Sequence, residues 1–289
     1  MVHKSNKTGA EILVETCEKG GIEVCFANPG TSEMHFVAAL DKTQNMRCVL
    51  GLFEGVVTGA ADGYYRMAQK SAATLLHLGP GLANGVANLH NAKKASSGIL
   101  NIIGEHATYH IQHNAPLMSD IEGIASPVSH WVRRTSKLDK LTADAAEAVS
   151  IANSSSGQIA SLIIPADISW EPAENNVKKI PCEEREKVSQ EDIIKAAKSL
   201  RNGASSLLLV GGVALHEKGI ELAGKISAKT GCQIRSPIFN GRTRRGAGLV
   251  EIPRVPHAPD VAYKALSDTN EIVLCGANPP APVADPNQK

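Results

Sequence analysis

Charge of one sign is missing from this 289-residue sequence: 30 lysines and arginines face 29 aspartates and glutamates, a formal net charge of +1 with the histidines neutral. No global field is therefore available to hold nucleic acid or an anionic membrane, and any such binding would need a local patch. No apolar run reaches the length that a bilayer helix requires. The opening MVHKSNKTGAEILVETCEKGG meets acidic residues before an uninterrupted apolar stretch forms, so this stretch is not expected to act as a secretory signal. Cysteines 17, 25, 48, 182, 232 and 275 make no CxxC pair and repeat no short spacing, so they are expected as reduced thiols, mostly in the core of a cytoplasmic protein. Aromatic residues are 3% of the chain against 43% apolar residues overall. The core must then be built from Ala, Val, Ile and Leu, and the length suffices for two compact domains or one large one.

What is present is an alternation of helix and strand. Ala10, Leu13, Val14 and Cys17 share one face of a helix expected over 8–19, with Thr8 near its start. EVCFA at 23–27 reads as a buried strand running into Asn28-Pro29-Gly30-Thr31-Ser32-Glu33, a turn whose Ser32 hydroxyl is placed to cap the next helix while Glu33 suits its positive end. Further strands are expected near 47–52, 72–76, 98–103 and 159–164, and helices near 54–69, 82–95 and 142–155. Residues 104 to about 135 read as irregular, and apolar positions on helix 82–95 suggest an oligomer surface. The pattern predicts an α/β fold with a largely parallel sheet covered on both faces.

Residues 174–192 are charged, interrupted by Pro181 and without apolar periodicity, the composition of a linker. A second α/β pattern follows: helix 190–201, a strand in SSLLLVGG, helix 214–229, strand 232–236, the loop GRTRRGAG and a strand in EIVLCGA at 271–277. The expected division is a first domain over 1–172, a linker over 173–190 and a second domain over 191–289 that stops soon after a buried strand. Order is expected to fail in the proline-rich end NPPAPVADPNQK.

Two residues invite chemistry on physical grounds. Glu54 lies at a helix start among Leu52, Phe53, Val56 and Val57, where desolvation would alter the cost of its ionisation; an ordinary helix-start glutamate fits the same position. His77 follows an apolar strand, at the end where parallel sheets form ligand crevices, and imidazole exchanges protons near neutrality; a histidine holding the Gly79-Pro80-Gly81 turn is the alternative. His106, His110 and His113 have partial metal-ligand spacing, but no HExxH and no nearby cysteine, and loop contacts are the favoured reading. GPGLANG and LLLVGG lack the GxGxxG and GxxxxGK[ST] patterns, so a dinucleotide site is not supported. Arg242, Arg244 and Arg245 could meet an anion, although a solvated surface is the commoner use.

The combination carries more than its parts. FANPGTSE, LFEGVVTGAADGYYRMAQK, LLHLGPGLANGVANLHNA and GQIASLIIPADI, in that order, resemble the N-terminal pyrimidine-binding domain of thiamine-diphosphate-dependent 2-oxo acid enzymes. Acetolactate synthase large subunits and benzoylformate decarboxylase are nearest in appearance. The resemblance spans 1 to about 172, and 190–289 look like the opening of the family's central domain, a partial Rossmann-like unit. It implies that Glu54 hydrogen-bonds the aminopyrimidine ring nitrogen of thiamine diphosphate and that His77 shuttles protons to the substrate. It also implies that Thr31 contacts substrate, that Asn28, Pro29 and Gly30 form the turn beside the cofactor ring, and that Asn84 faces the same cleft.

The family holds the diphosphate and Mg2+ through a GDG motif followed by asparagine, and no GDG occurs here. No metal ligand is therefore assigned to this chain, and bound FAD, which some relatives carry, is not expected. The implied partners are a small 2-oxo acid and either a second copy or a complementary diphosphate-binding module. The chain is expected to be a fragment of a longer enzyme, a split-gene product or a degenerate relative. A benzoylformate decarboxylase-like enzyme and a non-catalytic regulatory or scaffold relative are the alternatives, while a nucleotide-binding dehydrogenase rests on α/β alternation alone.

Overall fold

Thr8 caps the first helix reciprocally: its hydroxyl accepts the Glu11 amide at 3.3 Å, and the Glu11 carboxyl accepts the Thr8 amide at 2.8 Å. Two amides that the helix itself cannot pair are satisfied, and β1 (Lys7–Thr8) passes directly into α1 (Gly9–Lys19). In this computed structural model, residues 7–154, 157–173, 180 and 187–280 are described. Contacts divide the chain into two compact units, Met1–Arg185 and Glu186–Lys289.

The first unit continues through β2 (Val24–Asn28), α2 (Met34–Asp41), β3 (Arg47–Leu50), α3 (Glu54–Ala68), β4 (Ala72–Leu76), α4 (Leu78–Lys94) and β5 (Ile99–Glu105). Then come α5 (Ile121–Ala125), β6 (Trp131–Arg134), α6 (Leu141–Ala152), β7 (Ile159–Pro165), α7 (Ala166–Trp170) and β8 (Pro172–Ala173), which pairs antiparallel with β1. Six strands form one sheet in the order β3-β2-β4-β5-β7-β6, every neighbouring pair parallel. Period-two alternation sends Ala73, Leu75, Leu100 and Ile102 to a core shared with α1, α2 and α6. The intervening Ala72, Leu76, Ile99 and Ile103 meet α3, α4 and α5 on the other face.

The second unit contains α8 (Gln190–Leu200), β9 (Ser206–Val210), α9 (Glu217–Thr230), β10 (Gln233–Arg235), α10 (Pro259–Leu266) and β11 (Glu271–Cys275). Its strands form a parallel sheet in the order β10-β9-β11, with β9 in the middle and fully buried. Leu208, Val210, Leu215 and Ile220 make its core.

Several expectations need correction. The stretch 104–135 holds α5 and β6 rather than irregular chain. No pattern foresaw α10, only eight residues long with Pro259 in its first turn. Helix α4 begins at Leu78, so Gly79-Pro80-Gly81 is its first turn and not a turn ahead of it; Pro80 is tolerated because first-turn amides lack intrahelical acceptors. On α4 the large apolar residues Leu82 and Leu89 are fully buried within the unit's own core, and Ala83, Val86 and Ala87 are the apolar positions left at least partly exposed. Most of the expected linker, Cys182 and residues 281–289 of the proline-rich end lie outside the described residues. No helix among the described residues is long and apolar enough to cross a membrane.

Inside the sheet runs a chain of polar side chains. The Thr74 hydroxyl donates to Asn101 Oδ1 at 2.8 Å, Asn101 Nδ2 donates to the Ser161 hydroxyl at 3.0 Å, and Ser161 meets the Ser129 hydroxyl at 2.7 Å. Thr74, Asn101 and Ser161 are wholly buried, so each bond replaces water that cannot reach the site. Asn101→Ala strands the Thr74 hydroxyl and is expected to cost about 2 kcal/mol or more. Urea denaturation of the first unit should show a lower midpoint at unchanged m; an unchanged midpoint would remove the chain from the stabilising interactions.

Candidate functional site

The chain leaves β2 for β3 on one side, and β4 returns on the other. The carboxyl ends of β2 and β4 therefore diverge into a crevice, the place where open parallel sheets bind ligands. Asn28, the last residue of β2, lies opposite Leu76, the last of β4, so the residues that follow, Pro29-Gly30 and His77, arrive side by side. The approach is close: a Cβ on Gly30 would sit 2.4 Å from His77 ring atoms. Asn28 Nδ2 donates to the Gly51 carbonyl at 2.7 Å, and the Gly51 amide donates to the Ala27 carbonyl at 2.8 Å. These bonds fasten the end of β2 to the loop that delivers Glu54.

Glu54 opens α3 and is only 9% exposed. Its Oε2 accepts from Asn84 Nδ2 at 2.9 Å, while Oε1 has no hydrogen-bond partner and lies 3.0 Å from where a Cβ on Gly81 would stand. The same Cβ would be 3.3 Å from His77 Cβ, so the backbone of Gly81 is where the two side chains converge. Helix α3 is locked to α4 at this level by the Thr58 hydroxyl, 3.0 Å from the Glu54 carbonyl and 3.2 Å from that of Gly85. A half-sequestered carboxyl with one bonded and one free oxygen can receive a ligand N–H, or pass a proton to a ligand nitrogen.

His77 is the residue just ahead of α4, and Leu78 behind it takes φ +52° although it is a bulky, fully buried residue. Left-handed backbone costs such a residue of order 1–3 kcal/mol, and strain of this kind concentrates at functional sites. His77 Nδ1 lies 2.7 Å from Oε2 of Glu33, a residue 2% exposed. A hydrogen bond donated to the Glu33 carboxylate raises the imidazole pKa above its usual value; burial opposes this, and the charges of Glu33 and Glu54 add to it. Glu33 was expected to serve the helix dipole after a Ser32 cap. Instead Thr31–Glu33 forms a 3-10 turn without a Ser32 cap, α2 starts only at Met34, and the Glu33 carboxyl turns inward. The signal that could have found it is the Gly-x-x-Glu spacing in NPGTSE, because the Glu33 carboxyl also accepts the Gly30 amide at 2.7 Å.

The crevice thus brings together Asn28, Pro29, Gly30, Glu54, His77 and Asn84, with Thr31 exposed in the same 3-10 turn. The histidine trio lies elsewhere, in the loop after β5, as a row of rings with centroids 5.6 and 5.5 Å apart. Among the described residues no group of three or more His, Cys, Asp or Glu side chains is arranged to hold a metal. In the second unit Arg244 is engaged by Glu217, and Arg244, Arg245 and Arg254 line a cavity of about 490 Å³.

A doubly wound α/β unit with a carboxyl and an imidazole at its switch point is the class that fold and site define. Within that class, residues 7–124 match the family described as "Thiamine pyrophosphate enzyme, N-terminal TPP binding domain". The chain is 46% identical over 272 residues to the Mycobacterium tuberculosis protein named "Putative acetolactate synthase large subunit IlvX", covering 94% of this chain and 52% of that one. It is 27% identical over 175 residues to a benzoylformate decarboxylase of Pseudomonas aeruginosa, covering 60% of this chain and 33% of that one. The fold matches a thiamine diphosphate-dependent 4-hydroxybenzoylformate decarboxylase of Rhodococcus jostii RHA1 with a TM-score of 0.80 at 19% identity, over 93% of this chain and 51% of that one. The chain spans about half the length of the M. tuberculosis relative.

His77 gives a pH signature. Because its folded pKa is raised, its stabilising contribution is full below the unfolded value of about 6.5 and is lost as pH rises through the folded value. In His77→Gln the corresponding fall in stability above about pH 6.5 should disappear. Urea midpoints across the neutral range decide it, and identical pH slopes in both proteins would show that the Glu33 bond is not made in solution.

Proposed function

We propose that the chain is the pyrimidine-binding part of a thiamine-diphosphate-dependent enzyme that decarboxylates or carboligates a small 2-oxo acid, like an acetolactate synthase large subunit. The observation that carries this reading is Glu54, buried at the start of α3 with Oε2 held by Asn84 and Oε1 free at the crevice. An aminopyrimidine ring suits such a place: its ring nitrogen needs a carboxyl partner, and the absence of side chains at Gly30 and Gly81 lets His77 and Glu54 pack close to the backbone and to each other. Glu54 would hold that ring, Asn28-Pro29-Gly30 would line it, and Asn84 would keep the carboxyl aimed. When bound, thiamine diphosphate supplies the nucleophilic carbon and the electron sink for loss of carbon dioxide.

The remaining work falls to the chain's own groups. His77, raised in pKa and open at the crevice, would give and take protons at the substrate, with Thr31 contacting it from the neighbouring turn. In this reading residues 1–172 form the pyrimidine-binding domain and 191–289 part of the central domain. The diphosphate and Mg2+ would be held by a complementary module, in a second copy or a partner, since no GDG motif is present. A rim of Leu50, Leu52, Phe53 and Val56, with Leu52 90% exposed, borders Glu54 and supports such a cover. The presence of His77 and Glu33 favours a second, benzoylformate decarboxylase-like reading, in which the protonating group sits on this domain.

The test is carbon dioxide release from pyruvate and from benzoylformate by the chain joined with a diphosphate-binding module, in thiamine diphosphate and Mg2+. Glu54→Gln is expected to lose about 100-fold or more. Product analysis separates ligation from simple decarboxylation. Activity untouched in Glu54→Gln, or no turnover with any module and 2-oxo acid, would leave a regulatory or scaffold role in its place.

A further inference from the structure

We propose that Glu33 is the positioning residue of His77: it holds the imidazole proton on Nδ1, so that Nε2 is the atom that exchanges protons at the crevice. The catalytic consequence rests on the thiamine-diphosphate reading above; the tautomer does not. Glu33 Oε2 stands 2.7 Å from the Gly30 amide and 2.7 Å from His77 Nδ1, so one oxygen serves both the turn and the ring. It already accepts from the amide. As an acceptor toward Nδ1 as well, it requires Nδ1 to carry the proton.

The second oxygen is confined to the packing of the carboxyl. Glu33 Oε1 is buried and has no hydrogen-bond partner. It packs against the backbone of Gly104 in β5, where a Cβ would fall 1.6 Å away. A proton placed on Oε1 would find no acceptor, and the carboxyl has no room to turn toward water. A buried oxygen left unpaired is unfavourable, so the hydrogen bonding of this carboxyl is concentrated on Oε2.

On the other side of the ring, Nε2 has no hydrogen-bond partner, yet it is not among the buried unpartnered atoms, so solvent or a ligand reaches it. The charged groups acting on the ring are Glu33, from the turn after β2, and Glu54, from α3; both are acidic and both favour the protonated imidazole. The arrangement is that of an imidazole oriented by a buried carboxylate on one nitrogen and working from the other, as in hydrolase triads. Neutral His77 accepts at Nε2 and charged His77 donates there.

The experiment is long-range 1H–15N NMR of the histidine rings in the 15N-labelled chain, without cofactor, across the neutral pH range. Above the titration, His77 should show a protonated Nδ1 and an unprotonated Nε2. In Glu33→Gln the midpoint should move to lower pH and the Nε2–H tautomer should appear, because an amide can donate to Nδ1. Glu33→Asp should restore part of both effects. A neutral His77 with its proton on Nε2 in the unaltered protein overturns the proposal, and this measurement decides even where Glu33→Gln does not fold. An unchanged midpoint and tautomer in a folded Glu33→Gln overturns it equally. In the complete enzyme, Glu33→Gln should lower kcat about 10-fold or more, with thiamine diphosphate affinity unchanged and the pH profile moved in the same direction as the NMR midpoint. Failure of the cofactor reading would abolish the kinetic readout and leave the ring spectra intact, so the two failures are told apart.

Discussion

All six strands of the first sheet run the same way, so all six carboxyl ends open on a single edge. Everything chemical in this unit depends on that constraint. The turn holding Gly30 and Glu33, the loop reaching Glu54, the residue His77 and the backbone of Gly104 come from four separate stretches of chain, and strand direction alone brings them to one place. Apolar helices on both faces leave the edge as the one part of the sheet where polar side chains can gather without losing solvation entirely. The switch between β2 and β4 then opens a crevice within that gathering.

Two glutamates meet His77 there, and their second oxygens separate their tasks. Glu54 Oε1 has no protein partner and faces the crevice beside Gly81, so it can bond something that arrives. Glu33 Oε1 is sealed against Gly104, so its carboxyl can act only through the Gly30 amide and the imidazole. Both carboxyls favour a charged His77, yet only that of Glu54 has an oxygen left open. Glycines make both approaches feasible, since side chains at 81 or 104 would occupy the space these carboxyls use.

Much of this was legible in the sequence. The nearly continuous apolar runs AATLL and SLLLV read as buried strands, and the helices between such runs pointed to the α/β class, because in a sheet covered on both faces local pattern and burial agree. Glu54 and His77 were legible as candidates because each breaks an apolar context at a strand-to-helix junction. Glu33 was not, since a glutamate near a helix start satisfies the dipole argument equally well, and only the packing of β5 against the turn decides that its side chain points inward. The left-handed backbone of Leu78 was hidden as well, because leucine carries no sequence signal for positive φ. Helix α10 escaped because two turns with a proline give too short a period to read.

The exposed rim beside Glu54 links the fold to the proposed activity. Leu52 is 90% exposed and Val56 60%, although burial of such side chains is worth about 25 cal/mol for each Å². The proposed decarboxylation would make its own demand, because hydrogen bonding at Glu54 and proton exchange at His77 would be stronger with bulk water displaced. One covering surface meets both demands: it removes the apolar rim from water and closes the crevice over the carboxyl in the same step. A module that brought the diphosphate and Mg2+ to this edge would therefore be held by the rim and would complete the site by its own docking. Assembly and catalytic competence would then be a single event, with Glu54 and His77 oriented in advance by Asn84 and Glu33.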